Sequence, residues 1–146
     1  MKLFVFSFIF FFVACTESGI NNLKEFNLSQ VGLNSFPYSN MGKPWDSLDA
    51  PDLILEVYLN NKLSYSSKES QYVNLNYLDL PIWFNFDSLL YLEPSTLIKV
   101  KLFDMDSNSR DLIDTIEFQP PFIFELPLIE NITSDTTTWR FHYVGK

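Results

Sequence analysis

The chain has 146 residues, a length that suits one domain, and carries 18 acidic against 10 basic side chains for a formal net charge of −8. That balance repels phosphate backbones, which excludes nucleic-acid binding, and it supplies no electrostatic pull toward anionic membranes. A single cysteine rules out an internal disulfide framework.

Residues 1–14 stand apart from the rest. Lys2 precedes a Phe-rich apolar run from Leu3 to Val13, interrupted only by Ser7, and Ala14 and Cys15 follow. A basic residue, a short apolar core and a small residue before the cut describe a secretory signal peptide, and the run is too short to span a bilayer comfortably. Phe12-Val13-Ala14-Cys15 resembles a bacterial lipobox, with Phe in the slot where Leu is preferred. The resemblance implies cleavage before Cys15 and attachment of lipid to its thiol, giving a membrane partner through the anchor. Thr16 after the cysteine resembles the sorting position of an outer-membrane cargo, so the expected location is the cell envelope of a Gram-negative bacterium. Residues 15–24 are polar and aperiodic and read as a tether. Residues 25–146 then form the domain.

Along that domain the signal is a period of two. Phe26 and Leu28 open a first strand that ends near Val31 and Leu33. Residues 34–51, rich in Asn, Ser, Pro and Gly, form a long loop. It offers Phe36, Tyr38, Met41 and Trp45; Trp45 is expected to fold back onto the domain, since large aromatics usually find cover. Leu53, Leu55, Val57 and Leu59 make a strand with one buried face. Asn60-Asn61 signals a hairpin turn into a short polar strand, Lys62 to Ser66. After a connector over 67–80, Ile82, Phe84 and Phe86 alternate with Trp83 and Asn85. Glu93-Pro94-Ser95 turns into Ile98, Val100 and Leu102, another alternating strand. Leu112 to Phe118 follows, broken by Pro120-Pro121. Phe122, Phe124, Leu126 and Leu128 form a further run, Asn131 to Asp135 a turn, and Trp139, Phe141 and Tyr143 a last strand. Eight strands and no helix longer than a turn predict an all-β, eight-stranded antiparallel sandwich.

Two loops of this sandwich are acidic. The strand ending at Leu102 runs into a loop that gathers Asp104, Asp106 and Asp111 within eight positions, with Ser107, Asn108 and Ser109 as turn formers. Alone it also reads as a solvated acidic turn. The first loop places Asp46 and Asp52 before the strand Leu53–Leu59. An Asp pair entering one strand, then Asp-x-Asp plus a further Asp after a later strand, resembles the C2 domain. The segment Leu80-Pro81-Ile82-Trp83-Phe84-Asn85-Phe86 is similar to that family's Asn-Pro-x-Trp element without its Asn. Asp111 comes one residue early, Asp114 stands where Gly is usual, and Leu53 stands where Pro is usual. The resemblance spans residues 23–144. It implies a calcium site built from Asp46, Asp52, Asp104, Asp106 and Asp111, with the backbone carbonyls of Trp45 and Met105. Calcium takes six to eight such oxygens, and sites in extracellular modules bind at about 10⁻⁴ to 10⁻³ M. One strand before the first acidic loop and three after the second fit the C2 variant whose extra strand is C-terminal.

Enzymatic chemistry finds little footing. His142 is the sole histidine and alternates with apolar neighbours, so it is expected to face solvent. No serine sits in a nucleophile elbow, and a zinc site would lack Cys and His ligands. The sequence therefore reads as a non-enzymatic, lipid-anchored, calcium-binding C2-like domain. Its acidic loops would meet a phospholipid, protein or glycan partner. Trp83 to Asp87 carries no Lys or Arg, so the polybasic strand some C2 domains use for phosphoinositides is missing. The alternative is a metal-free β-sandwich surface lipoprotein with a structural or adhesion role.

Overall fold

The computed structural model describes residues 25–37, 39–45, 50–67, 72–106, 109–121 and 125–146. The signal peptide, Cys15, the tether, Asp46, Phe122 and Phe124 lie outside the described residues. Within them, eight strands build two four-stranded antiparallel sheets. The first sheet contains β1 (Phe26–Ser35); a two-residue pair, β2 (Ser39–Asn40) and β3 (Lys43–Pro44), follows it in the long loop. Then come β4 (Leu53–Leu59), β5 (Lys62–Ser66), β6 (Ile82–Leu92), β7 (Ile98–Met105), β8 (Arg110–Phe118), β9 (Leu128–Thr133) and β10 (Thr138–Val144). One sheet runs β6-β1-β10-β9 and the other β5-β4-β7-β8. The C-terminal strand β10 sits inside its sheet, between β1 and β9. This is the arrangement expected of the C-terminal extra-strand variant.

Alternation decides what each strand buries. Leu53, Leu55 and Val57 of β4 and Ile98, Val100 and Leu102 of β7 are fully buried, facing Phe84, Trp139, Phe141 and Tyr143 of the other sheet across one core. In β1 the apolar side chains in the core are Phe26, Leu28, Val31 and Leu33, a spacing that skips a beat after Leu28. A bulge between Leu28 and Gln30, seen against both neighbouring strands, absorbs the extra residue and returns Val31 to the core face. The Asn60-Asn61 turn has both residues in the left-handed region, φ 49° and 65°, which matches the twist of a tight hairpin.

Several boundaries differ from the sequence reading. β6 continues to Leu92, because Asn85 pairs with Gln30 and Leu90 with Leu28, so that residues 86–89 bulge out and the strand resumes. The run through Phe122 does not define β9. That strand is Leu128–Thr133, and Asn131 to Thr133, expected in a turn, pair with β10. The reversal falls at 134–137, where the Ser134 hydroxyl accepts from the Thr137 amide at 3.1 Å. The acidic loop is also shorter than its sequence suggests: β7 reaches Met105 and β8 begins at Arg110, so Asp104 and Asp111 are strand residues.

Candidate acidic-loop site

Asp104 continues the inward-facing series Ile98, Val100, Leu102, and parity alone carries a carboxylate into the end of the core, 1% exposed. Its Oδ1 accepts from the Asp52 amide at 2.9 Å. Its Oδ2 is buried and, among the described residues, has no hydrogen-bond partner. Burial pushes the Asp104 carboxyl above the ordinary range. The charges of Asp106 and Asp52 push the same way, against amide bonds from Asp52 and Met105 that favour the ionised form.

Asp52 is the junction of three chain segments. Its backbone carbonyl accepts from the Met105 amide at 2.9 Å, and its Oδ1 accepts from the Asn74 amide at 2.7 Å. Pro51 O takes the Leu75 amide at 3.0 Å beside it. Asp106 lies half-buried past the end of β7, where its Oδ2 accepts from the Ser109 hydroxyl at 2.7 Å and its amide donates to Ser109 O at 3.1 Å. Asp111 is exposed on β8 as the direct register partner of Asp104. Asp52, Asp104, Asp106 and Asp111 therefore come to one end of the sandwich. Among the described residues, however, no three acidic, His or Cys side chains converge closely enough to hold a metal ion by themselves. Asp46, the expected fifth carboxylate, is outside the described residues.

Of the two carbonyl donors the resemblance implies, Met105 sits at the end of β7 with its side chain exposed. Trp45 folds back as expected: it packs against the core and its Nε1 donates to Pro37 O at 2.7 Å. Arg110, next to the acids in sequence, does not neutralise Asp104. It bridges to Glu56 at 2.8 Å and its guanidinium covers the Phe103 ring at 3.6 Å on the opposite sheet face. Burial raises the Glu56 carboxyl. The Tyr58 hydroxyl, donating at 2.6 Å, and Arg110 outweigh that and hold it below the usual range.

Sequence reasoning missed the third segment of this end. Residues 72–79 were expected only to connect, yet they brace Asp52 and carry a one-turn 3₁₀ helix, Tyr77–Asp79. Its signal is the Asn76-to-Asp79 capping pattern, in which Asp79 Oδ2 accepts from the Asn76 amide and Asn76 Oδ1 accepts from the Leu78 amide. Tyr77 stacks on the buried Phe36 at 4.7 Å, tying this segment to the loop after β1. His142, expected to face solvent, is half-buried, with Nδ1 3.0 Å from the Ser29 hydroxyl.

No protein-family model matches the sequence, and no curated protein matches it. Solved structures do. A protein described as the structure of a C2 domain superposes with a TM-score of 0.52 at 11% identity, over 84% of this chain and 97% of that one. The fold is C2-like. Human GIVD cytosolic phospholipase A2, solved with methyl gamma-linolenyl fluorophosphonate and terbium chloride, superposes with a TM-score of 0.55 at 10% identity. That match covers 83% of this chain but only 17% of the phospholipase. These likenesses establish the C2-like sandwich.

Proposed function

We propose that this chain is a non-enzymatic C2-like module that binds calcium at its acidic loop end and docks that end on a phospholipid surface. Lipid on Cys15 would hold it at the cell envelope, at the outer membrane of a Gram-negative bacterium. One observation carries the metal reading. Asp104 Oδ2 is a buried carboxylate oxygen without a hydrogen-bond partner among the described residues, placed beside Asp52 and Asp106. Such a group is costly unless a cation or a proton completes it. The donors here are hard oxygens, which suit calcium. Asp52, Asp104, Asp106 and Asp111 would hold the ion, with Asp46 and the carbonyls of Trp45 and Met105 completing the shell.

The rim of this end favours lipid over a polar partner. Met41 at the tip of the β2–β3 hairpin is fully exposed, and Leu78 is 90% exposed. Val73 and Met105 add further exposed apolar surface on the segments that meet at Asp52. Apolar tips around an acidic centre match an interface at which the ion bridges head groups while the tips enter the acyl boundary. The second reading, a metal-free surface lipoprotein, draws on the local hydrogen bonds that Asp52 and Asp106 already make with Asn74 and Ser109.

The test is sedimentation of the Cys15→Ser protein with phosphatidylserine-containing vesicles, paired with calorimetric titration of calcium. Calcium heat at millimolar concentration and calcium-dependent sedimentation, reduced by Met41→Ser plus Leu78→Ser, are expected. Absence of any calcium heat would leave the metal-free reading standing.

A further inference from the structure

The second organised surface is the outer face of the β6-β1-β10-β9 sheet. Register sets its outward residues in rows across the strands. Trp83, Gly32 and Arg140 form one row, and Asn85, Gln30 and His142 form the next. Neither row contains an acid on any of the four strands, in a chain with 18 of them.

The first row is built around its glycine. A Cβ at Gly32 would lie 2.8 Å from the Trp83 ring and 3.0 Å from Ile82 O, so the indole lies directly over the bare backbone of β1. Across it, the Arg140 guanidinium stands 4.6 Å from the Trp83 ring centroid. Arg140 makes no ion pair among the described residues, whereas Arg110, Lys99 and Lys146 all do. Its Nε is buried without a hydrogen-bond partner among those residues. A cation kept stacked and partly desolvated, with no acid offered to it, is poised for an external anion. The second row carries two amides and an imidazole. Gln30 Nε2 donates to Asn85 Oδ1, and His142 Nδ1 meets the Ser29 hydroxyl. Each side chain keeps further donors and acceptors, since an amide offers both groups and an imidazole has a second nitrogen.

We propose that this face binds a carboxylate-bearing saccharide, a uronate. The Arg140 fork takes the carboxylate and the Gln30–Asn85 amides take the ring hydroxyls. A planar carboxylate matches the guanidinium fork in two parallel hydrogen bonds. A partner with several clustered charges, such as a polyphosphate or an acidic peptide, would need more than one cation and would meet the field of a net −8 chain. One charge per ring, surrounded by hydroxyls, fits one cation surrounded by amides. The surface is independent of the calcium loops.

The experiment is titration of the full-length protein with an oligosaccharide bearing a single galacturonate in excess chelator, so that no ion can bridge the sugar to the acidic loops. Maltopentaose and a poly-glutamate peptide serve as probes of the neutral-sugar and acidic-peptide alternatives. Galacturonate should bind and both others should bind about tenfold more weakly or not at all; Arg140→Gln should cost about tenfold or more. Gln30→Ala leaves the Trp83–Arg140 contact in place and should weaken binding severalfold, which decides the matter if the Arg140 variant fails to fold. The proposal is overturned if galacturonate does not bind, if either other probe binds equally well, or if both variants bind like the parent.

Discussion

Replacing Asp104 by Asn separates the metal from the fold. Oδ1 still accepts the Asp52 amide at 2.9 Å, while an uncharged amide nitrogen takes the place of the orphaned Oδ2. Burial, with Asp106 and Asp52 nearby, raises the Asp104 carboxyl in the folded protein. The native state therefore binds this proton more tightly than the unfolded chain. Stability falls as pH rises from the unfolded value toward the folded one, and the penalty is complete above the folded value. In chelator at pH 7.5, Asp104→Asn should accordingly be the more stable protein, by about 1 to 2 kcal/mol, the extra cost of a buried charge over a buried neutral polar group. The difference should shrink as pH falls through the raised pKa and close below the ordinary Asp value of about 3.9. Calcium should reverse the order. At ten millimolar ion and a dissociation constant of about 10⁻⁴ to 10⁻³ M, mass action adds about 1.4 to 2.7 kcal/mol to the parent. For a domain of this size that is a rise of roughly 5 to 12 °C in Tm. The variant should show little of it. The assay is a set of melting curves of both proteins at pH 4 to 8, with chelator and with calcium. A variant less stable than the parent in chelator, or one that keeps the full calcium shift, refutes the reasoning.

Gly32→Ala drives a methyl into the Trp83 ring and the Ile82 carbonyl, and should cost about 1 to 3 kcal/mol in chemical denaturation; an unchanged midpoint would show that the indole moves aside freely. Glu56→Ala removes the partner of Arg110 and Tyr58 and should destabilise by about 1.5 to 3 kcal/mol at neutral pH. Because the folded Glu56 pKa is lowered, that contribution is present above the unfolded value of about 4.3 and is lost as pH falls through the folded one, so parent and variant should converge in acid. Cys15→Ser should release the protein from membranes or leave it unprocessed. Retention after alkaline wash at the mass of the parent would rule out lipidation.

Much of the architecture was written in the order of residues. The alternation of Leu53, Leu55 and Val57, of Ile98, Val100 and Leu102, and of Trp139, Phe141 and Tyr143 determined three strands and their buried faces, because a pleated strand turns every second side chain the same way. The same parity turns Asp104 inward, but its sequence context reads as loop, and only pairing with Leu53 and Asp111 extends the strand to it. Other features depended on partners far away along the chain. The excursion at 86–89 is an answer to a neighbouring strand, and the bulge after Leu28, marked in the sequence only by the broken spacing to Val31, is fixed by pairing on both sides. The role of Asn74 at Asp52, the pairing of Asp111 with Asp104, and the diversion of Arg110 to Glu56 and Phe103 join residues from 7 to 54 positions apart. Periodicity reports which face of a strand meets the core. Only the folded sheets decide which polar group meets which at the edges, since those contacts follow from register and loop closure between distant segments rather than from local propensity.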